Sequence, residues 1–180
     1  MTDARKRPTA LNRPAKKRKR ASGLLVPPRE PGFTEEGFLW IRLTLAVLRL
    51  NGGLVAAGDR ITKGLGLTSA RWQILAVPAQ EDATVAQIAR MQGLQRQSVW
   101  RIVNLLLAEG MIEFVDNPDH RRAKLVRLTS LGAEKHSLLL SREVAWANSI
   151  DGAVTTQELS RMIDVLLVLL DHVEARIGEP

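Results

Sequence analysis

A chain of 180 residues with 45% hydrophobic side chains has the size and apolar content of one domain, and with four Trp and no Tyr its core falls to Leu, Val, Ile and Ala, as in helix-rich proteins. The absence of cysteine excludes disulfides, thiolate metal sites, a cysteine nucleophile and a thiol-based oxidation sensor, and agrees with a reducing cytoplasm. The net charge of +7 is lopsided: residues 1–33 hold ten Lys/Arg against Asp3 and Glu30, a balance of +8, leaving 16 basic and 17 acidic groups, or −1, for the rest.

Residues 1–33 contain Pro8, Pro14, Pro27, Pro28 and the run "KKRKR", with almost no apolar periodicity. Too little burial is available to offset chain entropy, so a disordered basic arm is expected. Two uses of the run stay open: phosphate binding, or a solubilising or nuclear-import tail. The cationic start lacks the apolar run of a signal peptide, and "FLWIRLTLAVLRL" is interrupted by Arg42 and Arg49. No segment is expected to span a membrane.

From Thr34, the positions Phe38, Ile41, Leu45, Leu48 and Val55 trace one face of a helix, capped by Thr34 and favoured at its start by Glu35 and Glu36. Gly52 and Gly53 predict a bend. Leu39, Trp40, Leu43 and Val47 widen the apolar coverage, which a second subunit would satisfy. In "LTSARWQILAVPAQ", Thr68 or Ser69 caps a short helix that Pro78 ends, and "ATVAQIARMQGL" shows Thr84 and Gln87 at capping-box spacing before Gly93. A third helix follows within two or three residues, so the pair forms a helix-turn-helix.

That third helix, in "LQRQSVWRIVNLLLAEGMI", turns Val99, Ile102, Val103 and Leu106 to the core and Gln97, Arg101 and Asn104 to the opposite side. The polar three span about 10 Å at ~1.5 Å per residue. Arg reads guanine and Gln or Asn reads adenine through paired hydrogen bonds at such spacing, while Gln95, Arg96 and Ser98 at the helix start can hold phosphates. A hairpin is predicted next, with strands in "MIEFV" and "AKLVRL" and Arg121 and Arg122 at its tip, flanked by Lys124. Such a wing can place arginine in a narrow minor groove, and Asp119 is expected to hold the guanidinium. Residues 84–135 carry eight basic against five acidic groups, whereas residues 136–180 carry three against seven. Two long helices end the chain, one capped by Thr129 and one opening on Thr155 and Glu158, with an apolar stripe of Leu159, Ile163, Leu166, Leu170 and Val173 that calls for a dimer partner.

The segments "GLTSARWQIL", "TVAQIARMQGLQRQSVWRIVNLLLAEGMIEF", "NPDHRRAKLVRLTSLG" and "TTQELSRMIDVLLVLL" together resemble the MarR (multiple antibiotic resistance regulator) family of winged-helix transcription regulators, from about Leu54 to Leu170. The resemblance implies a mainly α fold: a winged helix-turn-helix with a small β-hairpin wing, plus N- and C-terminal dimerisation helices. It divides the chain into the arm at 1–33 and one domain at 34–180, with a dimerisation helix at 34–58, the winged helix at 59–130 and further dimerisation helices at 131–180. It further implies a homodimer on double-stranded DNA at a pseudo-palindromic operator, a ligand-responsive repressor in the bacterial or archaeal cytoplasm, on the nucleoid. Family DNA contacts fall on Arg96, Gln97, Ser98 and Arg101, and the wing-tip arginine on Arg122. Where the family often has an acid immediately before the wing's basic pair, this chain has His120, with Asp119 one place earlier. Trp100 stands where the family is more often polar; it either packs on a sugar or thymine methyl or shields the helix, and shielding is the preferred reading. A small aromatic acid or aromatic thioester is the effector class implied, with Trp40, Arg42 and Trp72 as candidate contacts, although core packing is the preferred use of either Trp.

No cofactor, metal or catalytic group is expected. His120, His136 and His172 are scattered, and HExxH, a Gly-rich phosphate loop and a nucleophile elbow are all absent. The alternative function is a sequence-tolerant nucleic-acid-binding or architectural protein whose basic arm dominates binding.

Overall fold

The computed structural model describes residues 25–177, so "KKRKR" and the arm's first 24 residues lie outside the described part. Residues 25–34 form no regular helix or strand. The chain divides between Gly52 and Gly53 into two units. That point is the glycine pair at which the sequence predicts a bend.

Helix α1, Glu35–Thr62, runs through both glycines. Its start is set locally: Thr34 Oγ1 accepts the Gly37 amide at 3.0 Å, and Phe33 packs edge-on against Phe38 with centroids 6.3 Å apart, a hydrophobic staple. The helix ends at Thr62, four residues beyond the boundary expected at 58, because its last turns are core: Ala57, Gly58, Ile61 and Thr62 are buried. By length and composition alone α1 is long and apolar enough to cross a membrane.

In the second unit the order is α2 Ser69–Ala76, β1 Ala83–Thr84, α3 Val85–Met91, α4 Arg96–Ala108, β2 Ile112–Val115, β3 Leu125–Leu128, α5 Ser130–Asn148 and α6 Thr156–Ile177. Thr68 is the cap of α2, accepting the Arg71 amide, while Ser69 is its buried first residue and gives its own amide to Asp59 of α1 at 2.8 Å. Thr84 and Gln87 form the full capping box of α3. Both α3 and α4 stop in Schellman turns: the amides of Gly93 and Leu94 reach Arg90 and Ala89 carbonyls, and those of Gly110 and Met111 reach Leu107 and Leu106. Gly93 and Gly110 sit at φ 61 and 70, where a Cβ is strained.

The sheet has the order β1-β3-β2, antiparallel throughout, with Ala83 opposite Val126 and Phe114 opposite Val126 from the other side. The β1 strand is not foreseen by the sequence reading; two residues are too few for a period, and their pairing is made by β3. Asp82, just before β1, holds Arg127 of β3, with Nε donating at 2.9 Å. That hydrogen bond, then the carboxylate's charge, raises the Arg127 pKa. Helix α2 packs on α4 and α5, α3 on α4, α4 on β2 and α5 on β3. Ile74, Leu75, Ile88, Val99, Val103, Leu106, Val126 and Leu139 are fully buried between them. Arg142 of α5 donates to the carbonyls of Ile61 and Lys63 at 2.9 and 2.8 Å, closing the C-terminal end of α1. Helix α6 opens on a Thr155 and Glu158 capping box but has no buried residue among those whose burial is described; Ile163, Leu166 and Leu170 are 56%, 43% and 50% exposed.

Candidate nucleic-acid interface

Helix α4 separates its faces as 3.6-residue periodicity dictates. Val99, Val103 and Leu106 are fully buried, and Ile102 packs beside them. Gln97, Arg101 and Asn104 are exposed on the opposite side. Gln95 is the N-cap residue but makes no capping hydrogen bond with its side chain, and Arg96 and Ser98 of the first turn are exposed. The helix start therefore presents free polar side chains beside amides that carry the positive end of the dipole.

The wing is the β2–β3 hairpin, closed by Val115 opposite Leu125. Its loop, residues 116–124, carries exposed Arg121, Arg122 and Lys124. The expected clasp of Asp119 on an arginine is not formed. Asn117 Oδ1 takes the Asp119 amide at 3.0 Å and the Asn117 carbonyl takes the His120 amide, so a local turn orders the backbone of the loop, while the Asp119 carboxylate is exposed. Wing support is thus a backbone matter: His120 contributes its carbonyl to the Ala123 amide at 3.0 Å.

Recognition helix and wing meet at Trp100. Its indole stacks on Phe114 of β2, with centroids 5.9 Å apart and planes at 28°. One face of the ring is covered by Phe114, while the residue remains 47% exposed. Phe114 is the partner the sequence reading missed; alternation along "IEFV" was the available signal. Around this pair lies an open cleft of about 230 Å³ that brings Arg96, Arg122 and Lys124 together. Arg96, Gln97 and Trp100 line a second depression. Arg101 and Asn104 continue the Gln97 face by helical spacing, while no contact ties Arg121 to the cleft.

Arg96, Arg101, Arg121, Arg122 and Lys124 form no ion pair among the described residues, whereas Arg71 pairs with Glu109 and Arg127 with Asp82. Unpaired cations around a polar stripe create a positive potential without an internal counter-charge. Of the expected effector contacts, Trp72 packs against the hydrophobic core, 3.4 Å from where a Cβ on Gly58 would stand. In the first unit, Trp40 is 37% exposed and the Arg42 guanidinium lies 6.0 Å from the Phe38 ring centroid.

A sequence profile of the MarR family matches residues 65–123, the span from the α1–α2 connection to the wing. An uncharacterized protein of Mycobacterium tuberculosis is 36% identical over 132 residues, covering 69% of this chain and 92% of its own length. The crystal structure of the MarR family transcription regulator SP03579 superposes with TM-score 0.65 at 25% identity, over 81% of this chain and 97% of that one. The same fold is found in CouR from Rhodococcus jostii RHA1 bound to p-coumaroyl-CoA, with TM-score 0.64, 19% identity and coverage of 71% and 90%. It recurs in MarR from E. coli complexed with operator DNA, with TM-score 0.65, 19% identity and coverage of 73% and 96%. With a helix-turn-helix, a wing and an exposed polar stripe in the family's order, the chain belongs to the MarR family of DNA-binding, winged-helix transcription regulators.

Proposed function

We propose that this regulator is a homodimer that binds a pseudo-palindromic operator sequence-specifically and represses transcription by occupying it. The observation that carries the reading is the exposed, unpaired stripe of Gln97, Arg101 and Asn104 beside a basic wing. Base edges in the major groove are its chemical complement, with Arg96, Ser98, Gln95 and the wing cations on the backbone. Regulators, not enzymes, share the fold, and the reading assigns no catalysis. It places the protein on the nucleoid in the cytoplasm. Footprinting on bound DNA tests it. Two protected half-sites with centres roughly 10 base pairs apart are expected; one continuous protection that shifts with protein concentration and not with sequence would support the arm-dominated alternative.

Dimerisation is proposed from the apolar faces left uncovered. Helix α6 exposes Ile163, Leu166 and Leu170, and α1 exposes Leu39, Leu43, Val47, Leu48 and Leu54. A second copy suits these stripes better than a bilayer, because Arg42 and Arg49 would lie within the hydrocarbon. Leu166→Asp is expected to weaken self-association by on the order of a hundredfold, through a buried unpaired charge. Sedimentation velocity should then show monomer at concentrations where the parent chain is dimeric; an unchanged profile places α6 outside the interface.

An aromatic acid or aromatic thioester is proposed as effector, supported by the fold shared with CouR in its p-coumaroyl-CoA complex. Trp40 and Arg42 supply an exposed aromatic and a cation for such a ligand. It releases DNA only if it binds better to a conformation whose recognition helices are wrongly spaced. A thermal-shift screen is expected to show stabilisation by members of this class alone; stabilisation by none of them removes the effector from the proposal.

A further inference from the structure

Trp100 is the large apolar side chain at the junction of α4 and the wing, and cations fringe the apolar cleft beside it. One face is held by Phe114, yet 47% of the residue remains exposed. The cleft beside it is walled by this ring pair and fringed by Arg96, Arg122 and Lys124. None of the three cations has an ion pair among the described residues. An apolar floor with cations at its edges matches one repeating chemistry, the sugar of a nucleic-acid backbone between its two phosphates. A neutral aromatic ligand would leave the cations unmet, a free inorganic anion would leave the indole wet, and an aromatic acid brings one charge to three cations, whereas a sugar with its two phosphates meets both edges.

From this juxtaposition we infer that the Trp100–Phe114 cleft seats one deoxyribose of bound DNA, with the flanking phosphates on Arg96 at the helix side and on Arg122 and Lys124 at the wing side. The inference rests on the DNA-binding reading above and adds a contact to it that carries no sequence information. Phosphate and sugar contacts set register; the bases are read elsewhere on the helix, at Gln97, Arg101 and Asn104. Trp100 also lies on the shoulder of α4 toward the wing, so the seat fixes how the wing approaches the groove once the helix is placed.

The test uses the full-length protein, the selected operator duplex and a scrambled duplex of equal length. Trp100→Ala is expected to lower affinity for both by the same factor, about five- to tenfold for the apolar area lost. The ratio of the two affinities should stay unchanged. Trp100→Phe, which keeps a ring on Phe114, should lose about twofold or less. Because the alanine variant removes a packed ring, its thermal unfolding is measured in parallel. If it does not fold, the fluorescence of the parent and Trp100→Phe proteins decides: the emission change on adding DNA should be present in the parent and absent from the variant. A loss confined to the operator and abolished when its thymines are replaced by uracil would make Trp100 a thymine-methyl reader and overturn the inference. Full affinity in both variants, or an identical emission change in parent and Trp100→Phe, would overturn it as well. Equal binding of the parent chain to both duplexes would instead count against the sequence-specific reading, while a uniform Trp100 effect would leave the seat standing.

Discussion

Arg101→Ala is expected to lower affinity for the operator by roughly 5- to 150-fold, the equivalent of ~1 to 3 kcal/mol for one lost bidentate base contact, and to lower affinity for scrambled DNA far less. Arg101 lies mid-helix on the exposed stripe, and no described residue forms an ion pair with it, so its removal takes nothing from the fold. Alanine is also the better helix former. The change in binding can therefore be read as recognition. Arg101→Lys sharpens the test, since it keeps the charge and gives up the planar fork. Operator affinity should fall nearly as far as with alanine, while binding to scrambled DNA and its salt dependence should match the parent protein. Equal losses on both duplexes in titrations at fixed salt would make Arg101 a phosphate contact.

The largest expected loss of stability comes from Gly132→Ala, on the order of 2 to 4 kcal/mol, the sum of an overpacked contact and a broken backbone hydrogen bond. Gly132 is in the first turn of α5, and a Cβ there would stand 2.0 Å from the Met111 carbonyl oxygen. That oxygen accepts the Thr129 amide at 3.1 Å, and Thr129 Oγ1 donates to the Gly110 carbonyl while accepting the Gly132 amide at 3.2 Å. The corner joins the end of α4 to β2 and the start of α5. No flexible side chain can yield to the methyl, because the obstacle is backbone. The midpoint of thermal unfolding should drop by roughly 5 to 15 °C, measured at fixed protein concentration because a dimer's midpoint depends on it. A drop below about 2 °C would show that α5 can shift away from Met111 without cost.

What sequence could show and what it could not divides along the range of the interactions. The caps at Thr84 and Thr155 and the Gly93 turn act over three to five residues, so their signatures lie within one reading window. The core and stripe of α4 follow from helical periodicity in the same way. By contrast, β1 exists because β3 pairs with it more than forty residues later, at Ala83 and Val126. The C-terminal turns of α1 are helical core because Gly58 meets Ser69 and Trp72 closely, which no local pattern announces. Asp119 is expected from sequence to hold an arginine across the wing, but its carboxylate stays exposed and unpaired among the described residues, since the arginine would have to order a long side chain to reach it. The Trp100 and Phe114 stack joins residues fourteen apart on different elements, so the cleft between helix and wing is a product of tertiary structure.

The central claim is sequence-specific DNA recognition by α4, and one binding measurement tests it most directly. Duplexes are enriched on the intact protein from fragments of its own genome, and the best of them is titrated by fluorescence anisotropy against a scrambled duplex at near-physiological salt. The account predicts a preference of about a hundredfold or more for the enriched duplex, lost largely in Arg101→Ala. No enrichment, or equal affinity for both duplexes with a steep and common salt dependence, would contradict it and assign binding to charge alone.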